Sequence, residues 1–257
     1  MNEVNLLVEY NISYLNFTNI QLKEKIGEGK SGIIYKINDD LVIKILKNGN
    51  RFEYDFYNNF IEILKKDSIS KKISLPIAYG NLLNNIEIDN ETFNMENKFL
   101  ILHKYKRFKF EKIKAFSKIG KIFKLINDIL IIENFFETKL KFVNLDIKLD
   151  NIVMDQYNNI IMIDFGLIKN FSYFDMFYSY NNYFIWPSGK CYLDCVPLYS
   201  VFILICSIFF DTNFIKNKNI YQLKNILSDK FKNKKLNTIF DYMIKLKYNS
   251  NDILNFF

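Results

Sequence analysis

The segment VNLDIKLDNIVMD, residues 143–155, places Asp146, Lys148 and Asn151 within six positions of one another. Ten residues beyond it, IIMIDFG releases Asp164 from a hydrophobic run directly into Phe165 and Gly166. Asp164 and Asn151 offer the hard oxygen ligands that Mg2+ prefers, with phosphate oxygens and water filling the remaining positions. Asp146 is then free to orient a hydroxyl and accept its proton, and Lys148 can neutralise charge on a phosphoryl group in transfer. Taken singly, each residue has a plain explanation: Asp146 a turn cap, Asn151 a loop residue, Asp164 the end of a strand. Their order along the chain is what argues for chemistry.

About a hundred residues earlier, IGEGKSGIIYKI supplies Gly27, Gly29 and Gly32 in the spacing G-x-G-x-x-G, with Ile34 two residues further on. A tight hairpin would also use such glycines. A dinucleotide fold would place the motif between a strand and a helix, with an acid roughly twenty positions later. Here a second strand follows instead, through Ile33, Ile34 and Tyr35, and Lys44 closes a V-I-K triplet on the next one. A glycine loop between strands can lie close over phosphates because no side chain intervenes, and the neighbouring strand can present an amine to them. Ile43 and Ile45 on either side of Lys44 argue for an interior position over an exposed edge.

These residues need elements to hold them. EKIGEGKSGIIYKI followed by DDLVIKILK predicts two antiparallel strands and the start of a third, with Asn38, Asp39 and Asp40 at a turn. RFEYDFYNNFIEILKK, residues 51–66, sets Phe52, Phe56, Phe60 and Leu64 at intervals of four, one apolar face of a helix. Further strands are predicted at 75–83 and 97–105, joined by the polar connection NNIEIDNETFNMEN. A long helix follows over about 112–138, then short strands around 151–154 and 159–163, then helices at 193–210, 219–230 and 235–246. The fold class is α+β, with a sheet-rich first lobe to about residue 104, a helix-rich remainder and a cleft between them.

With 257 residues, 49% hydrophobic and 25% charged, the chain is of ordinary globular composition and needs no staples for its core. The formal charge of +7 suits acidic partners or a nucleotide triphosphate, but the lysines are dispersed and no nucleic-acid motif accompanies them. Three cysteines and one histidine, His103, argue against a Cys/His metal site and fit a reducing compartment. MNEVNLLVEYNI lacks the basic start of a signal peptide. VPLYSVFILICSIFF, residues 196–210, is short for a membrane span and bounded by Asp194 and Asp211, so a buried helix is expected there.

Together these motifs resemble the eukaryotic-type protein kinases over roughly residues 20–250, in a divergent and reduced form of the kind found in viruses or parasites. The resemblance implies one bilobal domain over 1–257, with an N-lobe of about 15–103, a hinge at Lys104 and Tyr105, and a C-lobe of about 106–257. It assigns Gly27, Gly29, Gly32 and Ile34 to the nucleotide-covering loop, Lys44 to the phosphate-pairing lysine, and His103 and Tyr105 to backbone contact with adenine. Asp146 corresponds to the catalytic-loop aspartate, with Asn151 and Asp164 as metal ligands. The carboxylate that should pair with Lys44 is Glu53 or Glu62, on opposite sides of one helix; Glu53 is preferred because Tyr57 and later residues then pack the sheet.

The implied cofactors are ATP and Mg2+, or Mn2+ in its place, and D-I-K-L-D-N resembles the serine/threonine form of the loop. Implied partners are a protein substrate and a regulatory protein, without a nucleic-acid site or transmembrane segment, in the cytoplasm or another intracellular setting, a host cytoplasm for a viral chain. Asn144 and Leu145 replace the family's histidine and arginine, and no A-P-E triplet follows, with Trp186-Pro187-Ser188 its remnant. Leu145 argues against control by phosphorylation of the 167–188 segment. Pro197 falls where a helix aspartate usually anchors the catalytic loop, and Asp194 is the expected substitute. These departures also suit a non-catalytic binding module of the same fold. A small-molecule phosphotransferase is a third reading, disfavoured by Lys148.

Overall fold

The computed structural model describes residues 4–13, 19–47, 51–89, 91–170, 176–177, 191–192, 195–245 and 248–257. The chain divides into two compact units, Met1–Lys106 with Asp164–Gly166, and Arg107–Ile163 with Leu167–Phe257.

The first unit is built on β1 (Val4–Ser13), β2 (Asn19–Leu22), β3 (Lys25–Glu28), β4 (Gly32–Lys36), β5 (Leu41–Leu46), β6 (Ala78–Leu82) and β9 (Lys98–His103). They form one sheet in the order β2-β1-β6-β9-β5-β4-β3. Side chains alternate across it. Ile33, Tyr35, Ile43, Ile45, Phe99 and Ile101 enter a buried core that Ile86, Ile88 and Phe93 also join. Those last three belong to β7 (Ile86–Ile88) and β8 (Glu91–Phe93), so the predicted polar connection is itself a hairpin with a buried apolar side. On the alternate register of β5, Lys44 stands opposite Ile34 of β4 and Leu100 of β9.

Helix α1 (Phe52–Lys66) starts and stops within a residue of its prediction, but its buried face differs. Phe56 and Leu64 are buried, whereas Phe52 is 67% exposed and the buried set is completed by Glu53, Tyr54, Tyr57 and Ile61. The reason is geometric: residues four apart advance by about 40° beyond a full turn, so the row drifts through about 120°, and the buried face is centred near Tyr57 and Leu64, which leaves Phe52 outside it. Tyr57 donates its hydroxyl to the Ser74 carbonyl at 2.6 Å, and Tyr54 meets Tyr79 of β6 edge-on with centroids 5.5 Å apart.

After the two-residue strand β10 (Lys106–Arg107), the second unit is mainly helical. Helix α2 runs Lys118–Phe135, shorter than predicted at its start because Ser117 caps it, accepting the Gly120 amide at 2.9 Å. A π turn, Phe136–Leu140, and the left-handed Lys141 (φ 61°) lead into β11 (Phe142–Asn144). Strands β12 (Ile152–Met154) and β13 (Ile160–Met162) pair as a hairpin, and β11 pairs with β14 (Ile168–Asn170). The two-residue strands β15 (Met176–Phe177) and β16 (Cys191–Tyr192) pair with each other.

The apolar run at 196–210 is helix α3 (Val196–Phe209), buried throughout from Val196 to Cys206. It packs on α6 (Lys234–Ile244), where Phe202 and Phe240 meet at 5.4 Å. Helices α4 (Thr212–Lys216), α5 (Ile220–Phe231) and α7 (Ser250–Leu254) complete the unit, α5 and α7 each opening on a capping box. Among the described residues no helix is long and apolar enough to cross a membrane.

Candidate active site

In the first unit, burial of Lys44 is made tolerable by two carboxylates. Its Nζ lies 2.6 Å from Glu53 Oε2 and 2.9 Å from Asp164 Oδ1. The side chains of Lys44 and Glu53 are 5% and 2% exposed, so this is a buried pair, while Asp164 keeps 32%. Burial pulls the Lys44 amine down, but the charges of Glu53 and Asp164 more than offset it and hold the amine above the usual lysine range. Burial pushes the Glu53 carboxyl up, against the Lys44 ammonium. Glu62, the other candidate, is on the solvent side of α1 with its side chain 66% exposed.

Asp164 reaches Lys44 from a left-handed backbone, φ 60°, which costs about 1–3 kcal/mol outside glycine and persists only when its surroundings hold it. Phe165 does part of that holding. It is fully buried against Phe56 and Tyr57, with centroids at 5.6 and 6.2 Å, and its amide donates to Glu53 Oε1 at 3.4 Å. At Gly166 a Cβ would stand 3.3 Å from Asp164 Oδ1, a tight approach, and 3.5 Å from Ser31 Cβ, an ordinary contact.

The glycine turn is closed by the Gly29 amide on the Gly32 carbonyl at 2.9 Å. At Gly32 a Cβ would fall 2.5 Å from the backbone oxygen of Ile45, so only glycine lets β4 lie on β5 there. At Gly29 a Cβ would meet nothing within 4 Å among the described residues. Glu28, between the glycines, takes Lys25 at 2.6 Å and Lys47 at 2.5 Å, and these hydrogen bonds lower its carboxyl to about 2. His103 and Tyr105, at the end of β9 and beyond, line a cavity of about 430 Å3 with Ser70, Ile73, Leu75, Pro76 and Ile77; Ile34 and the three glycines do not contribute to it.

The second unit holds the other set. Asp146 is 8% exposed, and its Oδ2 accepts from Lys148 Nζ at 2.7 Å and Asn151 Nδ2 at 2.8 Å. Asn151 Nδ2 also reaches the Asp146 carbonyl at 2.9 Å, which leaves the Asn151 side-chain oxygen as its other end. Oδ1 of Asp146 accepts no hydrogen bond from the described residues. The loop backbone is fixed by the Ile163 amide on the Asn151 carbonyl at 2.9 Å and the Leu145 amide on the Leu167 carbonyl at 3.2 Å.

Two residues that sequence reasoning passed over support this loop. Asn144, noted only as a departure from a histidine, is fully buried, and its Oδ1 accepts the Asp146 amide at 2.9 Å. Glu133, hidden in the apolar stripe of α2, is also fully buried and accepts the Asn144 amide. The two acids of IIENFFE, Glu133 and Glu137, give no local sign of such a partner. Pro197 is buried in the first turn of α3, and α3 carries no acid. Asp194 and Trp186-Pro187-Ser188 lie outside the described residues.

No model of a known protein family matches the chain, and no curated protein does. Solved structures do match. The ROP18 kinase domain in complex with AMP-PNP and sucrose superposes with a TM-score of 0.58, covering 96% of this chain and 81% of that one at 14% identity. Likeness at this identity speaks for the fold. The chain has a bilobal, protein-kinase-like architecture, with a β-rich N-terminal region and a helical C-terminal region.

Proposed function

We propose that the chain is a protein kinase that transfers the γ-phosphoryl group of ATP to serine or threonine hydroxyls of a protein substrate. The observation that carries this reading is the state of Asp146: one oxygen is pinned by Lys148 and Asn151, and the other accepts nothing from the described residues. A carboxylate held in this way can orient a substrate hydroxyl and accept its proton. Lys148, already on that carboxylate, neutralises charge that develops on the phosphoryl oxygens.

The first unit supplies the nucleotide side. Lys44, oriented by Glu53, pairs with phosphate oxygens. The open space at Gly29 and the close strand approach at Gly32 leave a backbone surface over which phosphates fit without a side chain between. Ile34, opposite Lys44, gives the base an apolar contact, and the backbone at His103 and Tyr105 gives it polar ones. The donor chemistry of Asn151 and Asp164, an amide oxygen and a carboxylate, fits Mg2+ or Mn2+, which takes few protein ligands in such sites. Bound there, the ion would neutralise and align the phosphate oxygens. The buried thiol of Cys206, free among the described residues, accords with the reducing, intracellular setting we infer.

The test is transfer from labelled ATP with Mg2+ to a mixed protein substrate, run beside Asp146→Asn. Loss of about 10²–10⁴-fold in the variant is expected. ATP binding without transfer above Asp146→Asn would instead identify a binding module. Transfer to sugars or aminoglycosides but not to protein would identify a small-molecule phosphotransferase.

A further inference from the structure

The catalytic loop of the proposed kinase is braced from an unexpected side. Glu133 lies on α2, has no exposed surface, and serves neither the nucleotide nor the hydroxyl in the mechanism above. Its Oε2 accepts the Asn144 amide at 3.4 Å. Asn144 in turn donates its side-chain amide to Met162 Sδ at 3.2 Å and accepts the Asp146 amide on Oδ1 at 2.9 Å. A continuous path therefore runs from the core of α2, through one fully buried asparagine, to the backbone of Asp146. All its members lie in the second unit.

Resting on the kinase reading, we propose that Glu133 is a positioning residue for Asp146, acting through Asn144. Buried groups are costly to leave unpartnered, so a carboxyl kept in this core must serve the donor it faces. Here the donor is the amide two residues before Asp146. Removing it would leave that amide buried and unsatisfied, and the loop would shift to find another acceptor. The side chain acts as an acceptor and not as a charge. Oε1 of Glu133 has no partner among the described residues, and burial together with the neighbouring Glu137 pushes the carboxyl well above its usual range. A neutral amide of the same shape should therefore do the same work.

The experiment compares Glu133→Leu, which removes the acceptor, with Glu133→Gln, which keeps it, and with Ile126→Ala, a core change elsewhere on α2. Two readouts are taken: amide hydrogen exchange at Asn144 and Asp146, which needs no activity, and steady-state phosphoryl transfer. Glu133→Leu should raise exchange at both amides at least tenfold and lower kcat about 10–100-fold, with KM for ATP unchanged, because misplacing a reacting group by about 1 Å can cost a hundredfold. Glu133→Gln should restore both. Unchanged exchange in Glu133→Leu overturns the proposal. So does a Gln variant as impaired as the Leu variant, or equal losses in Ile126→Ala compared at matched stability. A parent that transfers no phosphate refutes the kinase reading, and exchange at Asn144 and Asp146 then still decides whether Glu133 holds the loop.

Discussion

Replacing Lys44 by Met leaves Glu53 in place with its counter-ion gone, and the consequence has a sign and a pH dependence. The Glu53 carboxyl keeps the Phe165 amide at 3.4 Å and little else, since its side chain is 2% exposed. Breaking a buried pair from one end costs about 3–5 kcal/mol, part of which the orphan escapes by taking up a proton. Burial already pushes this carboxyl up, and losing Lys44 pushes it further. At low pH the group is protonated in both folded and unfolded chains, and the variant is least penalised. Above the ordinary carboxylate range the unfolded chain ionises while the folded one does not, so stability falls by about 1.4 kcal/mol per pH unit until the raised folded value is reached. In the parent, the Lys44 amine sits above its usual range, so its contribution is fully present through this window and is lost only at alkaline pH. The Glu53 carboxyl is raised in the parent too, so the gap between parent and variant should widen with pH only between the parent's folded value and the variant's higher one, by at most about 1.4 kcal/mol per pH unit. The double variant Lys44→Met/Glu53→Leu should recover most of the loss, because an apolar pair of similar volume has no charge to strand. Urea unfolding followed by far-UV circular dichroism at several pH values reads all of this. A gap that stays constant with pH, or a double variant no more stable than Lys44→Met, refutes the reasoning.

Other predictions are simpler to state. Asp164→Asn should abolish transfer while changing the urea midpoint little, because Asp164 is 32% exposed and Lys44 keeps Glu53; equal activity and Mg2+ dependence in variant and parent would remove its proposed role. Gly32→Ala should cost about 1–3 kcal/mol through its clash with the Ile45 carbonyl, whereas Gly29→Ala should leave the midpoint unmoved, so any loss of ATP binding in the latter reports the phosphate contact. Transfer should survive complete dephosphorylation, checked by intact mass, because Leu145 cannot hydrogen-bond a phosphate; a rate that collapses and returns on rephosphorylating one residue of 167–188 would show otherwise.

What could be read from the chain alone was set by how far each residue's partner lies from it. The turn at Asn38–Asp40 was legible because its hydrogen bonds are local, with Asn38 Oδ1 accepting the amides of Asp40 and Leu41. Helix α3 was legible because it is apolar on every side. Strand β1, by contrast, takes as a neighbour β6, some seventy residues on, and nothing within Val4–Ser13 announces that pairing. The polar segment at 84–97 hid a hairpin because its buried residues, Ile86, Ile88 and Phe93, are few and separated by charge.

The same rule governs the candidate site. Asp146 and Asn151, five apart on one loop, could be grouped by spacing, but the sequence assigned Asn151 to a metal and gave no sign of the hydrogen bonds it donates to Asp146. The choice between Glu53 and Glu62 could only be posed, since nine positions put them about 180° apart on the helix and its rotation against the sheet depends on Tyr57 and Phe56 finding Phe165. Glu133 was hardest of all. An acid among isoleucines and phenylalanines reads as the polar edge of an apolar stripe, and only the fold brings the Asn144 amide to it across eleven residues. Local order in the chain therefore exposes groups with the chemistry to meet a ligand, while groups that hold those in place become visible only once distant segments are packed. The hydrogen bonds that run from Glu133 through Asn144 to the Asp146 amide are of the second kind.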